Sequence, residues 1–234
     1  MKALTSILYN AFIFLFSVSA FTQAEEKGDS YEKSYLRLQE LYEEAANNNR
    51  PYINGFLYSE TFPGSRGHPF FQSETWYHGN LLVDGRQYSG LAVRYDLYRD
   101  QLLYNHIHTT GSYIIVLNIK LIEEFIIGGH TFRKMKEGYY ELLSEGKASF
   151  FVKWQKRLSD PTSKSMGEFS IFNEWYILNN GVFRKVNGKS GLVKALEDHE
   201  KEIRRFIREN RILVKTVNEI EIKRIVDYYN SLEP

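Results

Sequence analysis

The chain has 234 residues, with 30 Lys and Arg against 29 Asp and Glu, no cysteine, and 17 Tyr, 16 Phe and 3 Trp. A net charge of +1 argues against recognition of nucleic acid or an anionic membrane by bulk charge. The lack of cysteine excludes disulfides, thiolate metal ligands and the lipidated cysteine of a bacterial lipoprotein.

The first 24 residues, MKALTSILYNAFIFLFSVSAFTQA, place Lys2 ahead of an apolar run from Ala11 to Phe16, followed by small residues and then the acidic EEKGDS. This is the pattern of a secretory signal peptide, with cleavage expected after Ala24 and a second small-residue site after Ala20. The apolar run is short of the ~20 residues that span a bilayer, so no stable membrane insertion is expected after cleavage. Without Lys2 the 30 basic residues become 29 against 29 acidic, a mature net charge of zero.

Residues 25–50 carry a helical pattern, SYEKSYLRLQELYEEAANNN, with Tyr31, Tyr35, Leu38 and Tyr42 at spacings of four, three and four. From Pro51 to about residue 187 the period becomes two. Asp84-Gly85, Gly128-Gly129 and Asn180-Gly181 each join two short apolar runs and supply the positive φ that a two-residue hairpin needs. With looser breaks at YRDQ, HTTGS, SEGK and SDPTSKSMG, these turns predict nine or ten antiparallel strands. Leu91, Val93, Tyr95 and Leu97 alternate with Ala92, Arg94, Asp96 and Tyr98, which makes one sheet face apolar and the other mixed.

Residues 188–234 return to helical spacing. Leu192, Leu196, His199, Ile203 and Phe206 form one stripe, and Ile222, Ile225, Val226 and Tyr229 another. The stretch NGKSG, Asn187 to Gly191, invites comparison with a phosphate loop, but six residues separate Gly181 from Gly188, where that motif requires four. It reads instead as a strand exit with Ser190 as a helix N-cap, and Thr216 to Glu219 has the form of a capping box.

The segments LAVRYDLYRDQLLY, GYYELLSEGK, FRKV and VDYYNSL, spread between about Phe70 and Leu232, resemble those of exported β-rich proteins of Gram-negative bacteria that have no assigned function. The resemblance implies location and architecture and brings no catalytic residue with it.

Candidate chemistry is sparse. His106 and His108 stand two apart in a strand, so both project from one face and offer two ligands to a metal; a third could come from His68, His78 or His130. No HExxH motif and no Gly-x-Ser-x-Gly elbow is present. Asp96, among apolar strand neighbours, calls for a partner such as Arg99. Among the aromatic clusters, Phe70, Phe71 and Trp175 read as core, whereas Trp76, Tyr77, Tyr95 and Tyr98, grouped around the Asp84-Gly85 hairpin, are candidates for a binding face.

The expectation is a mainly β, α+β protein: an antiparallel meander, half-open barrel or sandwich, with an N-terminal helix and two C-terminal helices packed on the sheet. Functionally it reads as a periplasmic or secreted, non-catalytic binding or structural module that needs no cofactor, its partner an envelope protein, a glycan or an apolar ligand. The competing expectation is a metal-dependent hydrolase built on His106 and His108.

Overall fold

The computed structural model describes residues 50–53, 55–59, 62–108, 111–160, 167–212 and 218–232. The expected signal peptide, the expected N-terminal helix and Thr216 lie outside the described residues.

Among the described residues eleven strands form one sheet: β1 Phe56–Leu57, β2 Tyr77–Val83, β3 Arg86–Asp96, β4 Gln101–His108, β5 Gly111–Val116, β6 Ile122–Ile127, β7 His130–Met135, β8 Gly138–Ser144, β9 Ala148–Leu158, β10 Phe169–Asn179 and β11 Val182–Val186. Their order is β1-β5-β4-β3-β2-β6-β7-β8-β9-β10-β11, and all ten neighbouring pairs are antiparallel. The sheet is open, with β1 and β11 at its edges, and every strand belongs to it, so the sandwich alternative is set aside.

The three hairpin turns read from the sequence are all present. Asp84 and Gly85 have φ of 47° and 70°, Gly128 and Gly129 of 55° and 82°, and Asn180 and Gly181 of 49° and 74°. Paired left-handed residues match the right-handed twist of the flanking strands, which is why Asn, Asp and Gly occupy them. The short edge strand β1 escaped the sequence reading because two residues show no period.

The sheet curls along its length. On a flat sheet β3 and β8, four positions apart, would be about 19 Å from each other. The Tyr95 ring on β3 nevertheless lies 6.2 Å from Tyr139 on β8, and 5.2 Å from both Phe125 on β6 and Phe132 on β7. The backbone closes the same gap, with Lys156 N donating to Leu97 O at 3.3 Å. Apolar alternation on β3 holds as read: Leu91, Val93, Tyr95 and Leu97 face the concave core.

Three helices follow where two were expected: α1 Gly188–Ala195, α2 Glu200–Glu209 and α3 Glu219–Ser231. The stripe from Leu192 to Phe206 is interrupted at Leu196 by a 3-10 turn over Glu197–His199. Tertiary bonds account for the break. Asn179 Nδ2 donates to Ala195 O at 3.0 Å, and Tyr229 OH and Lys147 Nζ both reach Asp198 Oδ2, at 2.6 and 2.9 Å. Ser190 is not the cap expected of it. Gly188, at φ 64°, turns the chain straight out of β11, so α1 begins three residues earlier with Asn187 at the N-cap position, making no side-chain cap bond. At α3 the cap is Asn218, whose Oδ1 accepts from Glu221 N at 3.0 Å. The expected stripe Ile222, Ile225, Val226 and Tyr229 is buried as read, against Phe150, Val152 and Ile177 of the sheet.

Candidate functional site

Alternation along β3 sends Arg94 and Asp96 to the face opposite Val93, Tyr95 and Leu97. On that convex face Tyr58, Phe70, Glu74 and Trp76 reach them. Asp96 is fully buried and its carboxylate is saturated: Oδ1 accepts from the backbone N–H of Tyr98 at 2.8 Å and of Arg99 at 2.9 Å, while Oδ2 accepts from Tyr58 OH at 2.7 Å and faces the Arg99 guanidinium at 3.5 Å. Arg99 is thus the partner the sequence called for, with Tyr58 beside it.

Arg94 lies between two rings, its guanidinium carbon 4.0 Å from the centroid of Phe70 and 4.1 Å from that of Trp76, and it donates to Glu74 O at 3.0 Å. Two cation–π contacts, each worth about 0.5–2 kcal/mol, fasten an otherwise irregular segment to the sheet. The segment is further tied to the start of β10, because Arg66 N donates to Gly167 O at 2.8 Å and Phe169 N to Arg66 O at 3.0 Å.

Between these tethers opens a cleft of about 360 Å³ lined by Phe62, Pro63, Ser65, Gly67, His68, Pro69, Glu74 and Phe169. Its apolar wall belongs to a triangle of edge-to-face rings: Phe62 is 5.1 Å from Phe169 and 5.5 Å from Tyr98, and Tyr98 is 5.6 Å from Phe169. Arg99 stacks on Phe62 at 4.5 Å, which links the wall to the buried Asp96. The polar side carries the Glu74 carboxylate, the Ser65 hydroxyl and the His68 imidazole.

The electrostatics of that polar side follow from Lys156, whose Nζ donates to His68 O at 2.8 Å. Burial lowers the His68 pKa, and the nearby Lys156 charge lowers it further; burial also pulls Lys156 down. His68 is therefore neutral at pH 7. Its Nδ1 accepts from Phe70 N at 3.2 Å, which assigns the ring proton to Nε2. The cleft thus combines a neutral N–H donor, a hydroxyl and a carboxylate with two aromatic rings.

The four aromatic candidates from the sequence do not share a surface, and this corrects the expectation. Tyr98 stands beside the cleft, and Trp76 lies over Arg94 on the convex face. Tyr77, paired across from Val93, turns to the concave side, where Tyr95 is only 2% exposed and donates to Asp100 Oδ1 at 2.5 Å. Period-two alternation separates the neighbours Trp76 and Tyr77, and a strand-interior residue such as Tyr95 is claimed by the core. The sequence offers His68 only as a possible metal ligand; Phe62 was missed because 62–69 is irregular and shows no period to read, and Phe169 because it opens β10, far from that segment in sequence.

In the strand register His106 stands opposite Tyr113 of β5, and His108 opposite Gly111. Two of the proposed third ligands are engaged elsewhere: His130 Nδ1 is 2.5 Å from Glu141 Oε1 and its Nε2 is 2.8 Å from Gln72, while His68 belongs to the cleft. Among the described residues no three His, Cys, Asp or Glu side chains come together as a metal would need. Glu141 itself, 3% exposed, also accepts from Trp154 Nε1 at 2.5 Å, a buried polar link between β7, β8 and β9 that the GYYE segment did not announce. Among the described residues no helix is long and apolar enough to cross a membrane.

No family model matches the chain, and no curated protein or solved structure matches it either.

Proposed function

We propose that this protein is an exported, non-catalytic binding module of the bacterial cell envelope, and that the cleft between residues 62–69 and the start of β10 takes a saccharide ring. The observation that carries the reading is the pairing of the Phe62 and Phe169 rings with Ser65, His68 and Glu74 around one concavity. A sugar presents an apolar C–H face bordered by hydroxyls, and aromatic rings with a few fixed donors and acceptors complement it. A volume of about 360 Å³ stands at the small end of ligand sites, which run from roughly 300 to 1,000 Å³. Glu74 accepts from hydroxyls, and the Nε2–H of neutral His68 donates to them without the desolvation cost of a second charge.

Export rests on the N-terminal charge, apolar run and small residues before Glu25, together with the resemblance to exported Gram-negative proteins. Expression of the whole chain in a Gram-negative host is expected to yield a periplasmic protein whose mass begins at Glu25; an uncleaved cytosolic chain would overturn that part. Ligand binding is read by titration calorimetry and NMR against neutral hexoses and N-acetylhexosamines. The expected result is saturable binding that Phe169→Ala weakens about tenfold or more, a loss of roughly 1.4 kcal/mol. Absence of heat and of localised shifts up to about 10 mM sugar, above the weakest specific affinities, would remove the saccharide reading.

A further inference from the structure

We infer that a second cleft, between the start of α1 and the end of α2, is a binding site for a phosphate-bearing molecule. It encloses about 620 Å³ and is lined by Lys189, Arg204, Ile207, Arg208, Arg211 and Ile212, four cations with no carboxylate among them. It shares no residue with the saccharide cleft and does not depend on that reading.

Solvated surface charge explains part of this. Arg208 and Arg211 lie at the C-terminal end of α2, where the helix dipole favours cations. Lys189 does not fit that account. It sits in the first turn of α1, where the dipole is positive, with no acidic residue in that turn and no side-chain bond from the Asn187 cap. Arg204 and Arg208, one turn apart on α2, repel by a few tenths of a kcal/mol. Glu200 pairs with Arg204 at 2.6 Å, but among the described residues no carboxylate pairs with Lys189, Arg208 or Arg211.

Two sources of positive potential, the α1 N-terminus and the arginines of α2, therefore converge on one concavity. A phosphoryl group answers both: its oxygens accept bidentate bonds from guanidinium forks and single bonds from first-turn N–H groups. Ile207 and Ile212, 2% and 6% exposed, close the floor but offer little surface to an acyl chain. Charge and hydrogen bonds hold the ligand, so the recognised chemistry is the phosphate, whether free or on a lipid headgroup.

The test uses the full chain after export and two probes. Pyrophosphate is titrated calorimetrically at low and at physiological salt, and flotation is measured with phosphatidylcholine vesicles with and without phosphatidylglycerol. The expected result is one pyrophosphate site that weakens with salt and loses about tenfold or more in affinity in the double variant Lys189→Gln with Arg208→Gln, whereas Arg205→Gln, which removes an equal charge outside the cleft, leaves it unchanged. Pyrophosphate binding without vesicle flotation identifies a soluble ligand. Flotation that pyrophosphate displaces identifies a headgroup. Thermal melting of each variant establishes that it is folded. Failure of both probes to bind, or an equal loss in Arg205→Gln, would show diffuse surface charge and overturn the site.

Discussion

Along its concave face the sheet is filled by rings toward β2–β8 and by helices toward β9–β11. The first cluster draws six of its fourteen buried members from Tyr52, Phe71, Tyr95, Phe125, Phe132 and Tyr139; in the second, Phe150 and Tyr229 are the two aromatic members among sixteen. Where strands curl to face one another across a gap, rigid rings reach the middle with few rotatable bonds to freeze. Where helices lie on the sheet, aliphatic stripes at spacings of three and four close the interface. Of the two cores, the first is the richer in rings. Trp154 packs against both clusters and joins them.

The largest expected effect comes from ending the chain after Asn187. This removes Leu192, Leu196, Ile203, Ile207, Ile222, Ile225, Val226 and Tyr229 from the face of Phe150, Val152 and Ile177. At about 1.5–3 kcal/mol per buried apolar side chain, the loss exceeds the roughly 5–15 kcal/mol that keeps a domain folded. Circular dichroism is expected to show no cooperative melt. A melting temperature equal to the parent's would mean that the helical region is no part of the core.

Single deletions sharpen the contrast. Phe132→Ala in the ring-filled region is expected to cost about 3–5 kcal/mol and Ile225→Ala under the helices about 2–5 kcal/mol. Because Trp154 spans the clusters, both variants should shift one common transition in urea. Two transitions, each answering to one variant, would divide the sheet into independent units.

Glycines test the same difference more finely. At Gly138, φ is 105° and an added Cβ would sit 2.1 Å from Asp100 Oδ2, so Gly138→Ala is expected to lose about 2 kcal/mol or more. At Gly191 in α1 the nearest atom to an added Cβ is Val186 Cα at 3.6 Å, an ordinary contact. Gly191→Ala should therefore leave stability unchanged or raise it by up to about 1 kcal/mol through helix propensity. Equal losses at both sites in denaturant titration would refute the difference between Gly138 and Gly191.

The smallest effect is electrostatic. Burial pushes the Asp100 carboxyl up, against the hydrogen bond from Tyr95 and the charge of Lys153. Burial also pushes Asp198 up, but bonds from Tyr229 and Lys147 outweigh it and hold that carboxyl low. For Asp100, raised above the unfolded value of about 3.9, ionisation costs stability; the cost is absent at low pH and grows as pH rises from there through the folded pKa. Asp198 contributes stability above about 3.9 that is lost as pH falls through its lower folded pKa. Carboxyl ¹³C shifts followed from pH 2 to pH 8 are expected to place the Asp100 midpoint above that of Asp198. The reverse order would break the assignment.

Much of the architecture was open to reading because its causes are local. A two-residue hairpin needs positive φ at both positions, so Asp84-Gly85, Gly128-Gly129 and Asn180-Gly181 declare themselves. Alternation placed Val93 and Tyr95 opposite Arg94 and Asp96, and the stripe from Ile222 to Tyr229 identified the buried face of α3. At the site, Tyr98, His68 as a possible ligand and the need of Asp96 for a partner could be seen in the chain; Phe62 and Phe169 could not. The curl that brings Tyr95 to Tyr139, the break of the helical stripe at Leu196 and the convergence of Lys189 with Arg208 were decided only by the tertiary structure. Each depends on groups far apart in sequence, bound by hydrogen bonds and packing that no local period encodes. Periodicity reports which side of an element is apolar, but not which distant element that side will meet.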